Sequence, residues 1–388
     1  EEGMVLRSWR YAAPLLQSMP DDVLQKVIHS VTWWLQEVSK SINRHESLLK
    51  NLCHRVLTLP LETDQSSLVN RNDDETNDLV GSAINHPVGH VTQALINLWF
   101  KQNPNDSDLL PADLEPIFTA LCGTEVEQFR PARVIMGSRL ISFFRVDRIW
   151  TEQHLLPLFD WSNPLEAKAV WEGFLWSPRL YQPLLIAFKP QFLESAKHYG
   201  NLGKHKQQFA VFLTYAALDP TQGFTVDEFR SAIGAFPQEG LERSAQALYQ
   251  ALEGAGDQRE DYWINRAQPF WQNIWPKSRS LATPRIAQSL ARLVIAARRK
   301  FPAALDAVQD WLKPIEQPHY IIRSLAESGL CKLFPEEALQ LLDLIIADQQ
   351  WVPKQIGDCL DEMEEAAPQI VQGGRFQRLK EYLRMRGM

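Results

Sequence analysis

The chain has 388 residues, 45% of them apolar and 22% charged, which is enough for a core and unlike a disordered polypeptide. Forty Lys and Arg against 47 Asp and Glu leave a net charge of −7. That excludes a general nucleic-acid coat or a polybasic membrane binder, though not a local basic patch, and 18 Gly with 24 Pro exclude collagen-like and low-complexity chains.

In chain order, almost every segment reads as helix. Residues 1–60 form one or more N-terminal helical hairpins. Pro20-Asp21-Asp22 opens a stripe of Val23, Val27, Val31, Trp34 and Val38 at spacings of 4, 4, 3 and 4, which lies on one helical face. Leu48, Leu49, Leu52, Val56 and Leu59 repeat that pattern over 42–59. Residues 61–85 hold Asp64, Asp73, Asp74, Glu75 and Asp78 among Ser, Thr and Asn, an acidic polar loop or linker. Residues 86–235 resume as a helical region, from His90–Gln102 onward. Asn163-Pro164 and Thr283-Pro284 each place a capping residue before a first-turn proline, and Thr225-Val226-Asp227-Glu228 is a capping box. Strand-length alternation is nearly absent, so the fold class is all-α.

From 236 to 388 the chain has a period. Pro237, Pro269, Pro302, Pro335 and Pro368 are spaced by 32, 33, 33 and 33 residues, and Pro157 to Pro190 is again 33. Phe301-Pro302 is followed by Leu305, Val308, Trp311 and Leu312. Phe334-Pro335 is followed at the same offsets by Ala338, Leu341, Leu344 and Ile345. Two helices per unit of about 33 residues is the size of a helical hairpin, which buries its apolar face only by stacking on neighbours. The tetratricopeptide and ankyrin consensus patterns are incomplete. The expectation is an irregular solenoid of HEAT-like or tetratricopeptide-like hairpins.

The search for chemistry returns structural readings. Gly200-Asn201-Leu202-Gly203-Lys204-His205 is too short between its glycines for a phosphate loop and reads as a turn. His86 and His90 stand four apart, but Pro87 and Gly89 between them favour a helix start over a zinc pair. Asp73–Asp78 lacks the glycine and final glutamate of a calcium loop. Cys53, Cys122, Cys331 and Cys359 form no CxxC and read as buried thiols of a reducing cytoplasm. No apolar run reaches the roughly eighteen residues of a membrane span. No GxSxG or catalytic-cysteine signature occurs, and Asp361-Glu362 with Glu364-Glu365 read as a solvated helix face. No catalytic residue, metal or cofactor is therefore expected.

Binding surfaces are the remaining candidates. Of 13 Trp, most should plug gaps between repeats, including Trp263, Trp271 and Trp275, while a few stand as exposed anchors. The candidates for partner contact are Trp171, Trp176, Arg179, Tyr181, Arg298, Arg299 and Lys300. Arg292 and the basic stretch Arg375, Arg378, Lys380, Arg384 and Arg386 extend the positive charge, read first as a complement to the helix dipole and the acidic helix before it. A protein is the expected partner. Nucleic acid is the alternative, a membrane is excluded, and homo-oligomerisation stays open.

One resemblance bears on this. Phe270-Trp271-Gln272-Asn273-Ile274-Trp275-Pro276 leads into Thr283-Pro284-Arg285-Ile286-Ala287, then Phe301-Pro302-Ala303-Ala304-Leu305 and Trp311-Leu312-Lys313-Pro314-Ile315. Glu327-Ser328-Gly329-Leu330-Cys331, Phe334-Pro335-Glu336-Glu337-Ala338-Leu339 and Arg378-Leu379-Lys380-Glu381-Tyr382 complete it. Residues 262–388 thus resemble the C-terminal helical region of large bacterial anti-phage defence proteins with an N-terminal sirtuin-like effector. The resemblance implies a non-enzymatic sensor or regulatory arm that binds a partner, such as a phage protein, and controls an NAD-cleaving effector of the same polypeptide. None of the effector's own residues can be placed on this sequence. The opening Glu1-Glu2-Gly3-Met4, with no initiator Met and no leader, fits a piece of a longer chain.

Overall fold

The computed structural model describes residues 2–42, 47–60, 78–219, 223–346 and 354–385. These are helical nearly throughout, and the single β-contact among them is an isolated parallel bridge between Ile315 and Ile346. The all-α expectation holds. The chain divides into two compact units, Glu1–Phe209 and Ala210–Met388.

In the first unit the principal helices are α1 (Glu2–Ser18), α2 (Asp21–Lys26), α3 (Ile28–Ser39), α4 (Ser47–Thr58), α5 (Leu79–Ile84), α6 (Pro87–Phe100), α7 (Glu115–Cys122), α8 (Arg130–Gly137) and α9 (Pro164–Leu175). Helices α3, α6, α8 and α9 pack in succession, with α4 and α7 beside them. The α8–α9 crossing is close because Gly137 and Gly173 face it; a Cβ on Gly173 would lie 2.1 Å from the Val134 carbonyl. The stripe expected near the N-terminus is displaced by one residue from Val23 to Trp34, while Val38 is buried as expected. The helix breaks at Val27, whose φ of −117° and ψ of 14° are not helical. The inward face is therefore Leu24, Ile28, Thr32 and Leu35, and Val23 and Val27 are exposed. Of the expected acidic loop, 61–77 lies outside the described residues. Its end is helix α5, which buries Leu79, Val80 and Ala83.

In the second unit the helices α10 (Gln238–Gly254), α11 (Gln268–Asn273), α12 (Pro284–Ala296), α13 (Phe301–Val308), α14 (His319–Glu327), α15 (Pro335–Ile345), α16 (Gln355–Ala366) and α17 (Gly374–Arg384) form two layers. One layer runs α10, α12, α14, α16, and the other α11, α13, α15, α17, with each helix against the next of its layer. The proline period finds its cause here. Pro302 and Pro335 each occupy the first turn of a second-layer helix, where a missing N–H leaves no bond unmade, and Pro269 enters α11 directly after the π-turn Trp263–Ala267. Pro368 lies in the 3₁₀ turn before α17. Pro237 differs: it caps a first-layer helix, so its place in the arithmetic series is not a structural equivalence.

The two Phe-Pro pairs are equivalent in space, for the Phe301 and Phe334 rings stack at 6.2 Å. Trp271 stacks on Trp275 at 5.0 Å, both meet Trp311 at 5.6 Å, and the Trp271 indole N–H donates to the Ala307 carbonyl at 2.7 Å. These tryptophans tie α11 to the following hairpin, as large rings at a repeat boundary should.

Candidate functional site: an arginine-lined groove

A cavity of about 830 Å³ lies along the first layer of the second unit. Its construction follows from helix ends. Helix α12 turns its apolar stripe, Ile286, Leu290, Leu293 and Val294, into the core, which leaves Arg292 half-buried at the edge. Past Ala296 the chain tightens into a 3₁₀ turn, Arg298–Lys300, and Arg298 adopts φ of +52°. A non-glycine residue in the left-handed region carries strain of order 1 kcal/mol, and such strain gathers at functional sites. The turn aims Arg298 and Arg299 outward together, both exposed. Three basic residues just past a helix C-terminus also meet the negative end of its dipole.

Helix α10 supplies Tyr249 and Glu253, one turn apart, and the next turn adds Arg259 and Glu260. The Arg292 guanidinium lies over the Tyr249 ring, 5.9 Å from its centroid. Burial, then the hydrogen bond and charge of Glu253, push the Tyr249 phenol up to about 12, so it is a neutral donor at any physiological pH. Helix α14 contributes Tyr320, 74% exposed, with Leu333 nearby at 62%. Large side chains standing free in water beside a groove are the pattern expected of a contact surface.

The charges of the groove are unevenly matched. Glu327 pairs with Arg323 at 2.7 Å, Glu253 is held by Tyr249, and Glu260 accepts the Arg299 backbone N–H at 3.4 Å. Arg298 reaches the exposed Asp257 at 3.4 Å, and the Arg259 side chain donates to the Glu253 carbonyl. Among the described residues, no carboxylate pairs with the guanidinium of Arg292 or Arg299.

The residues expected to meet a partner are thus separated. Arg298 and Arg299 line the groove, and Lys300 is half-buried at its margin. Trp176, 52% exposed, Arg179 and Tyr181 lie in the first unit on the segment after α9. Tyr181 is half-buried, its ring edge-on to Phe144 at 6.2 Å. Trp171 is a correction. It is wholly buried, wedged against Phe159, Phe188 and Phe209, with its indole N–H donated to the Phe159 carbonyl at 3.2 Å. Its position on the inward face of α9 makes it core.

Comparison of the chain with protein-family models, with curated proteins and with solved structures finds no match. The groove's own chemistry therefore carries the functional reading.

The other sequence motifs are absorbed by structure. His86 caps α6, its Nδ1 accepting the Val88 N–H, and His90 Nδ1 lies 3.0 Å from the Thr32 hydroxyl. Burial, with the charges of His29 and His86, holds His90 down at about 4. Among the described residues no group of three or more His, Cys, Asp or Glu is placed to hold a metal ion. The basic stretch near the C-terminus is largely paired: Arg375 and Arg378 with Asp343, Lys380 with Glu364 and Arg384 with Glu381, while Arg386 lies outside the described residues. A smaller cavity of the first unit, about 400 Å³, touches Cys122, His154 and Glu166. There burial pushes the Cys122 thiol up to about 12, and Glu166 is bound to two arginines.

Sequence reasoning missed Tyr249, Arg259, Tyr320 and Leu333. A usable signal exists for Tyr320: on α14 the buried stripe is Ile321, Ile322 and Leu325, so an aromatic at 320 falls on the polar side.

Proposed function

We propose that this chain is a helical-repeat arm that binds a protein partner and passes that event to an effector domain outside it. The observation that carries the reading is the groove, where unpaired guanidiniums, a strained Arg298 and exposed Tyr320 and Leu333 converge on one layer of stacked hairpins. Aromatic and arginine side chains concentrate binding energy at protein interfaces. Stacked hairpins also suit signalling, because a ligand that prefers one curvature of the array shifts the population towards it.

The setting, bacterial anti-phage defence in the cytoplasm with an NAD-cleaving effector, rests on the resemblance of residues 262–388. No described helix is long and apolar enough to cross a membrane, which is compatible with that setting. The pairing of the basic C-terminal stretch with Asp343, Glu364 and Glu381 disfavours a nucleic-acid surface there.

The test is affinity capture from phage-infected bacteria, with the full chain and its Arg299→Glu variant as parallel baits. A protein retained by the first and lost by the second is the expected result. Hydrolysis of NAD or ATP by the purified chain, abolished by a point substitution within it, would reject the reading.

A further inference from the structure

The chemistry of the groove narrows the partner. The chain as a whole carries −7, so an acidic ligand meets general repulsion and binds only where cations are locally in excess. The groove is such a place. Its glutamates already have partners within the fold, whereas Arg292 and Arg299 have no carboxylate of their own among the described residues. Arg292 is moreover pre-positioned on the Tyr249 ring, which reduces the rotamer entropy lost on binding. Ile295, Ala296, Leu330 and Leu333 supply the apolar part of the groove's lining.

Resting on the partner-binding reading above, we propose that the groove receives an acidic peptide segment of the partner. Two of its carboxylates pair with Arg292 and Arg299, and a bulky apolar side chain sits on Ile295, Ala296 and Leu333. Arginine favours this because its planar fork takes a carboxylate through two parallel hydrogen bonds. The interleaved Glu253, Glu260 and Glu327 decide against a nucleic acid. A continuous phosphate backbone would run past each of them, whereas discrete carboxylates can be spaced to avoid them.

The experiment selects from a random peptide library displayed on ribosomes, with the full chain as bait, and measures the enriched peptides by fluorescence anisotropy. Enriched sequences should carry two acidic residues flanking a large apolar one, and their affinity should fall as salt is raised. Arg299→Glu should weaken them by about tenfold or more, equivalent to about 1.4 kcal/mol or more. Arg299 is exposed, so this variant should fold, and circular dichroism checks that it does. Arg292→Lys, which keeps the charge and loses the fork, should cost less than Arg292→Ala.

Enrichment without acidic bias, no enrichment at all, or full affinity in Arg299→Glu would overturn the acidic-peptide assignment. So would a single-stranded oligonucleotide that displaces the peptides and itself needs Arg292 and Arg299. Failure here is separable from failure of the parent reading. A protein captured equally by the native chain and by Arg299→Glu leaves a partner in place at another surface and removes only this groove.

Discussion

The two units solve the problem of a helical interior differently. Among the described residues, every buried Arg, Asp, Glu or His lies in the first unit, where Arg130, Arg133, Asp147, Glu166 and Glu172 are all enclosed. In the second unit the buried polar side chains among the described residues are Thr214 and Ser244, bonded to each other at 2.8 Å, and the rest of the core is aliphatic, aromatic and sulfur-bearing. The first unit spends its charges inward. Glu166 receives Arg130 at 2.8 Å and Arg133 at 2.7 and 3.0 Å, while Arg133 also donates to the Gly123 carbonyl at 2.8 Å. The second unit keeps its arginines at the surface, some of them in a groove. Buried charges specify one packing and resist change, and exposed unpaired ones are available to a ligand.

The sharpest way to break this contrast is to remove the buried acid. Glu166→Ala leaves two enclosed guanidiniums without a counter-charge, and a loss of about 3–5 kcal/mol is expected in urea unfolding. A loss below about 1 kcal/mol, the range of an exposed pair, would mean that the triad is hydrated and the contrast false.

The second test uses pH. Glu172 is fully buried on α9, its carboxylate facing the backbone N–H groups of Leu79 and Lys204 without a well-formed hydrogen bond to either. Burial pushes it up to about 7, from an ordinary 4.5. The folded state therefore holds this proton more tightly than the unfolded state. Its stability contribution is complete below about 4.5 and is lost as pH rises through 7. Glu172→Gln, permanently neutral, should match the native chain at pH 4 and exceed it by about 3 kcal/mol at pH 8. Urea midpoints at the two pH values decide it, and parallel pH profiles for the two proteins would sink the assignment.

The smallest effect belongs to the second unit. Thr225→Ala removes the hydroxyl that accepts the Glu228 N–H at 3.2 Å, half of a reciprocal cap. It should cost about 1 kcal/mol, with no dependence on pH between 6 and 8. A pH-dependent loss in that window would show a titrating group in the second unit that its packing does not display.

The same contrast explains what could be read in advance. In α12, α13 and α15 every large apolar residue but Leu344 is buried, so period and burial coincide and the hairpins are legible. In the first unit Thr32, His90, Arg133, Glu166 and Glu172 occupy inward positions. Polar residues there erase the stripe that identifies a face. That is why the expected stripe lies one residue off the buried face from Val23 to Trp34, although Val38 falls on it. Of the groove, Arg292, Arg298 and Arg299 are visible as a basic cluster, but it is not visible that Arg298 reaches Asp257 while Arg292 and Arg299 have no carboxylate among the described residues. Arg375 and Arg378 look the same in one dimension, yet Asp343 is beside them.

The amino-acid sequence alone determined the helical class, the caps at Thr225 and Thr283, and the hairpin repeat of the second half, because these depend on neighbours within a turn or two. Only the tertiary structure decided that Pro237 stands outside the repeat, that Trp171 is core, and which arginines have no carboxylate partner among the described residues. Those properties depend on residues tens of positions away, and local spacing carries no information about such contacts.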